Sequence, residues 1–121
     1  MFENLTDDEL LMLLDDGKTS QDDIVTELLN REIEEDILLY LMEYWPKFRN
    51  KIWVKNLSNA ALRYIIVEIP ALRFQAVIRL CGRKLDEKDL ETIIEHSPNN
   101  RVEAMERLAD LLLLKAKNVA A

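Results

Sequence analysis

At 121 residues, with 49% hydrophobic and 32% charged side chains, the chain can bury one core and is too apolar for a disordered segment. Two glycines and three prolines are too few turn formers for a strand-rich fold, and Leu, Glu, Ala, Lys and Arg dominate, so an all-α fold is expected. The single cysteine, Cys81, excludes an internal disulfide framework, and the net charge of −7 is zoned: residues 1–36 sum to −11, residues 37–84 to +7 and residues 85–121 to −3.

The N-terminal residues Met1-Phe2-Glu3 lack a basic n-region, and the longest apolar runs fall short of a membrane span. A cytoplasmic protein with no leader and no membrane segment is therefore expected. A first helix is predicted over 7–15, because Thr6 and Glu9 have capping-box spacing and Leu5 with Leu10 that of a hydrophobic staple. The stretch "DDGKTS" follows at 15–20. Its Gly17-Lys18-Thr19 matches the close of a Walker A loop, which requires Gly-x-x-x-x-Gly-Lys-Thr after a strand. Met12 stands where the first glycine belongs, an amphipathic helix precedes the turn, and Asp15 and Asp16 would repel a polyphosphate. Gly17 reads instead as the residue ending helix one, with Thr19 or Ser20 capping a second helix over 20–30.

Helices are then predicted in pairs, 33–44 with 47–56, 58–68 with 71–82 and 87–96 with 99–116. Each opens on apolar residues at i, i+3 and i+4. Within a pair the pattern breaks and restarts, at Pro70 in one case and at Ser97-Pro98 in another, where proline suits a first helical turn. The pairs are copies of one another. "LRYIIVEIPALRFQAVIRL" (62–80) aligns without a gap on "LETIIEHSPNNRVEAMERL" (90–108), 28 residues on, and on "LLYLMEYWPKFRNKIWVKN" (38–56), 24 residues back. A weaker match places Leu10, Leu13, Leu14 and Gly17 28 residues before that. In the second helix of the third copy, Phe74, Val77, Ile78 and Cys81 form one apolar stripe and Leu72, Ala76 and Leu80 another. Apolar on two sides, such a helix needs neighbours on both, as stacked hairpins provide. The expected organisation is a single domain, 1–121, with hairpins at about 6–31, 32–56, 58–82 and 86–117.

Paired helices and the Arg-x-x-Ala step at Arg73-Ala76 and Arg101-Ala104 resemble HEAT-like and armadillo-like repeats in a short form. That resemblance covers about residues 6 to 116 and implies an α-solenoid with a right-handed superhelix. It also implies that Arg49, Arg73 and Arg101 form a ladder of hydrogen bonds to acidic or carbonyl groups of adjacent loops. The spacing of 24 to 28 is shorter than the usual HEAT unit, and the aspartate that commonly partners the arginine is missing.

Catalytic chemistry finds no support in the residue pattern. His96 and Cys81 are single, Asp15, Asp16, Asp22 and Asp23 do not fit an EF-hand, and no metal or cofactor motif is present. Cys81 is expected on an apolar stripe and His96 in the last turn of its helix. Two features point to binding. Lys55, Arg79 and Arg107 share one place in the repeat, and with Lys51, Arg83 and Lys84 they suggest a basic band suited to an acidic peptide or a nucleic-acid backbone. Nucleic acid is the poorer fit, because the flanking acidic zones oppose a long polyanion. Tyr40 and Tyr64 are equivalent and expected near the outer face of their helices, as candidates for a contact surface. Trp45 and Trp53 follow the core pattern. Leu111 to Leu114 sweep most of a helix circumference, so an apolar end with Leu112 and Leu113 exposed is expected to dock on a second copy or another protein. The reading is a non-catalytic protein-interaction module whose partner is a protein; its rivals are a nucleic-acid-binding module using the basic band, and an acidic inhibitor or immunity-type protein covering a basic target through residues 1–36.

Overall fold

The computed structural model describes residues 2–120, the side chains of Val119 and Ala120 excepted. Among the described residues there are eight α-helices and no strand: α1 (Asp7–Asp16), α2 (Gln21–Asn30), α3 (Glu35–Tyr44), α4 (Arg49–Trp53), α5 (Asn59–Glu68), α6 (Arg73–Cys81), α7 (Glu87–His96) and α8 (Arg101–Ala120). Three-residue 3-10 turns, Pro46–Phe48, Pro70–Leu72 and Pro98–Asn100, lead straight into α4, α6 and α8. The chain divides into two compact units, Met1–Asn56 and Leu57–Ala121. In the first, α1 packs on α2 and α3 on α4; in the second, α5 packs on α6 and α7, and α7 on α8. Leu10, Leu14, Ile24, Val25, Leu41 and Ile52 are fully buried in the first unit, and Leu62, Ile65, Ile66, Ala76 and Leu80 in the second. Each large apolar side chain so buried contributes about 1.5 to 3 kcal/mol.

The helices that open each pair start alike. Each has ten residues, and an apolar residue followed by a cap precedes it: Leu5-Thr6, Ile33-Glu34, Leu57-Ser58 and Leu85-Asp86. Thr6 and Glu9 close the expected capping box, with both hydrogen bonds at 3.1 Å. Asp86 and Asp89 close a second one, at 2.9 and 3.0 Å. Ser58 Oγ accepts from the Ala61 N–H at 3.1 Å. Such caps satisfy N–H groups that a first turn leaves without helical partners.

The joint inside three of the pairs is one structure repeated. Trp45, Ile69 and Ser97 end α3, α5 and α7 with φ of −128°, −124° and −128° and ψ of 71°, 77° and 86°. The following residue is proline each time, and proline disfavours helical backbone in the residue before it. Proline also lacks an N–H. The carbonyls of Met42, Ile66 and Ile94, four residues before Pro46, Pro70 and Pro98, therefore have no i+4 donor. Arg49, Arg73 and Arg101 supply one: their Nε atoms donate to those same carbonyls at 2.5, 2.6 and 2.9 Å. The ladder implied by the resemblance is thus not made to adjacent loops. Each arginine turns back seven residues to the helix it follows, because that is where the proline leaves an acceptor open.

A second tie closes the α1–α2 and α5–α6 pairs and, after α4, reaches back to α2. Arg31, Lys55 and Arg83 stand just past α2, α4 and α6, each with its backbone N–H on a carbonyl three residues back. Arg31 Nη1 donates to the Leu5 carbonyl at 2.7 Å and to Asp7 at 3.1 Å; Arg83 Nη1 does the same to Leu57 at 2.5 Å and Asn59 at 3.0 Å. Lys55 Nζ reaches the Leu29 carbonyl at 2.5 Å. Nine residues separate Pro46 from Lys55, whereas thirteen separate Pro70 from Arg83. One turn is missing from α4, which accounts for the spacing of 24 and places Lys55 level with Arg83 rather than with Arg79.

Several expectations change. The helix expected over 47–56 is helical only from Pro46 to Trp53, and α8 runs to Ala120 rather than to 116. Trp45 and Trp53 are half-buried rather than core. Leu72 in the turn before α6 and Ala76, Val77 and Leu80 on α6 are buried, but Phe74 is 70% and Ile78 58% exposed. The stripe of Phe74 and Ile78 thus faces solvent along much of its length, while that of Leu72, Ala76 and Leu80 is covered.

Gly17 has φ of 73° and ends α1, while Ser20 Oγ accepts from the Asp23 N–H at 3.4 Å to begin α2. An added Cβ would meet nothing within 4 Å, so a side chain here is opposed by backbone conformation alone. Gly17→Ala is expected to lower stability by about 1 to 2 kcal/mol, and Gly17→Asn by less, as read by urea unfolding. Equal stability of all three proteins would contradict the left-handed cap.

Candidate functional site

The turn "DDGKTS" holds no phosphate-binding geometry. α1 leads into it, and Lys18 extends into solvent within 4.0 Å of Asp16. Among the described residues no three His, Cys, Asp or Glu side chains are grouped so as to hold a metal ion, and no helix is long and apolar enough to cross a membrane. Cys81 is half-buried, and burial pushes its thiol pKa up, opposed in part by Arg107 and helped least by the Glu103 carboxylate. A raised pKa removes the thiolate on which cysteine nucleophiles depend. His96 is half-buried in the last turn of α7, 3.9 Å from Glu95.

The sequence reading passed over one ionic centre. Asp89, fully buried, accepts from Arg63 Nη1 through Oδ1, and through Oδ2 from Asn59 Nδ2 at 3.1 Å and the Asp86 N–H at 3.0 Å. Asn59 in turn donates to the Lys84 carbonyl at 3.2 Å and accepts from Arg83. A buried charged carboxylate is where a catalytic acid or base is sought. Here both oxygens are engaged by donors from α5 and from the α7 cap, so the cluster ties α5 to α7. The spacing of Asp89 three positions after the Asp86 cap was the available signal, and it went unused.

The candidate cations have different neighbours. Lys51 lies with its Nζ 5.8 Å from the centre of the Phe48 ring. Lys55 and Arg83 direct side-chain nitrogens to backbone carbonyls. Lys84 is exposed, Arg79 is half-buried, and Arg107 is half-buried beside Cys81. Tyr40 is half-buried, its hydroxyl donating to Asp15 at 3.3 Å and its ring 5.1 Å from that of Tyr44. Burial, then the Asp15 charge, raise the Tyr40 pKa. Tyr64 is 39% exposed. Of the four leucines at 111–114, Leu111 and Leu114 line a shallow surface cavity of about 300 Å³ with Leu85 and Leu90. Leu112 and Leu113 point elsewhere and are 47% and 57% exposed.

Exposed apolar residues stand out on the second helices, among them Phe74 and Ile78, which the two-stripe reading of this helix expected to be covered. Phe74 and Val102 are equivalent and both 70% exposed; Ile78, one turn on from Phe74, is 58% exposed. A signal for this was present, since Asn50 and Glu106 occupy the Phe74 and Ile78 places in other copies. A position that accepts Asn or Glu in one copy is a solvent position. No protein-family model matches the chain, and searches of curated proteins and of solved structures return no match.

The Asp86 carboxylate accepts the Asp89 N–H and lies 3.9 Å from Arg63, and these contacts, the first foremost, hold its pKa below the ordinary 3.8. A depressed folded pKa gives stability that is complete above the unfolded value and lost as pH falls through the folded one. Asp86→Asn keeps a good cap without the charge. The stability gap between parent and Asp86→Asn is therefore expected to hold from neutral pH down to about 4 and to shrink below it. Urea titrations along a pH series measure the gap, and one that stays constant into strong acid would contradict the assignment.

Proposed function

We propose that the chain is a short HEAT-like α-solenoid of four helical hairpins acting as a non-catalytic protein-interaction module. The observation that carries this reading is the joint of Trp45-Pro46, Ile69-Pro70 and Ser97-Pro98, whose matching dihedrals and arginine back-bonds mark one building block used repeatedly. Repeat arrays place equivalent side chains in rows and bind along them. Phe74 and Ile78 on α6 are large apolar side chains exposed at 70% and 58% among the described residues, which is the property of a contact surface. Residues 1–56 carry 14 acidic against six basic side chains, and residues 57–121 nine against ten. The basic band offers a nucleic-acid backbone less than its sequence suggests, because Lys55 and Arg83 are committed to carbonyls.

Phe74→Asp with Ile78→Asp tests the reading. Both side chains are exposed, so the double variant is expected to melt within a few degrees of the parent. In-cell crosslinking followed by mass spectrometry should yield polypeptides joined to the parent protein and lost from the variant. An identical crosslinked set from both, with the fold intact, would remove α6 as the contact surface.

A further inference from the structure

The exposed side of α8 has a spacing that the repeat does not explain. Val102, Met105, Ala109, Leu112 and Ala116 follow one another at intervals of three, four, three and four residues, and all five are exposed, Val102 at 70%, Met105 at 53% and Leu112 at 47%. Alternation of three and four keeps apolar side chains on one seam of a helix and is the pattern of a coiled coil. Another face of α8 is already used, since Ala104 and Arg107 sit against Leu90 and Ile93, and Leu111 beside Leu85. From Val102 to Ala116 the seam is about 21 Å long at 1.5 Å per residue.

We propose that this seam pairs with the same seam of a second copy, the two α8 helices running parallel across a twofold axis. The residues bordering the seam favour that occupant. In a parallel pair, the residue before each Val102-type position meets the residue five places on in the partner helix. Arg101 then faces Glu106 and Leu108 faces Leu113, each meeting a complementary residue on both sides of the axis. An antiparallel pair instead brings Arg101 toward Lys115 and Glu106 toward Glu106, like charge on like charge. Arg101 is also held in place for this contact, its Nε anchored on the Ile94 carbonyl at 2.9 Å.

A further helical hairpin is a poorer occupant. Ile69 and Leu72 are buried in the joint between α5 and α6, but their equivalents Ser97 and Asn100 are polar and bonded to each other at 2.9 Å. The α7–α8 joint is thus finished for solvent, while the seam beyond it is not. Charge agrees, because residues 57–121 are nearly neutral within an acidic chain, so two copies can meet there without strong net repulsion. The inference does not rest on the proposed function, whose contact surface is on α6.

Sedimentation equilibrium of the full chain, from low micromolar to several hundred micromolar, is the test. A monomer–dimer equilibrium is expected, with Met105→Glu and Leu112→Glu each raising the dissociation constant by about tenfold or more at unchanged helical circular dichroism. Glu106→Arg, which sets Arg101 against a second arginine, should weaken the dimer as well. In a Cys81→Ser background, Ala109→Cys should form a disulfide-linked dimer on mild oxidation, because two copies of position 109 face each other only in the parallel pair. A strictly monomeric parent, a dimer indifferent to both glutamate variants, or a dimer that Ala109→Cys fails to crosslink would overturn the proposal.

Discussion

A proline at the start of a helix leaves the carbonyl four residues earlier without its usual donor, and this protein resolves that deficit three times in the same way. Met42, Ile66 and Ile94 carry the open carbonyls, and Arg49, Arg73 and Arg101 close them. An acceptor left unmet in a part-buried site costs about 1 to 3 kcal/mol. The proline and the arginine are therefore one device: the first turns the chain between two helices, and the second makes the turn affordable. With the joint fixed, apolar faces of successive helices meet at a set angle, and the core residues of each unit follow.

The remaining ties lean on that arrangement. Once α6 is aimed by its joint, its end comes back near the start of the pair, where Arg83 reaches the Leu57 carbonyl; Arg31 makes the same tie to Leu5 in the pair that Gly17 turns. Asn59 and Arg63 on α5 then find Asp89 at the first turn of α7. Burial of that carboxylate is tolerable because an arginine, an amide and a backbone N–H share its charge; a buried ion with fewer partners would cost several kcal/mol. These contacts lock particular neighbours together rather than adding burial.

Much of this was legible in the sequence, and the rest was hidden for definite reasons. Helix starts could be read from Thr6, Ser58 and Asp86, and the turn at Gly17 from the absence of a preceding strand. The internal repeat could be read from Pro70 and Pro98 in register with Pro46. The shortened α4 was hidden, because a lost helical turn removes four residues while preserving the apolar pattern, and Lys55 then aligned falsely with Arg79. Phe74 and Ile78 misled because periodicity shows which residues share a face and not whether another element covers it. Asp89 was invisible as a buried ion, since a capping-box acid is usually solvent-facing. Exposure of Tyr44 was legible by comparison of copies, since Glu68 and His96 hold its place in the next two.

The measurement closest to the central claim is a double-mutant cycle on Pro70 and Arg73, read by urea unfolding. If the arginine replaces the donor that the proline lacks, removing it should matter less where an alanine N–H is available. Arg73→Ala is then expected to cost less in the Pro70→Ala background than in the parent, with a coupling of roughly 0.5 kcal/mol or more. Additive effects of the two substitutions would mean that proline and arginine act independently, and the account of the joint would fail.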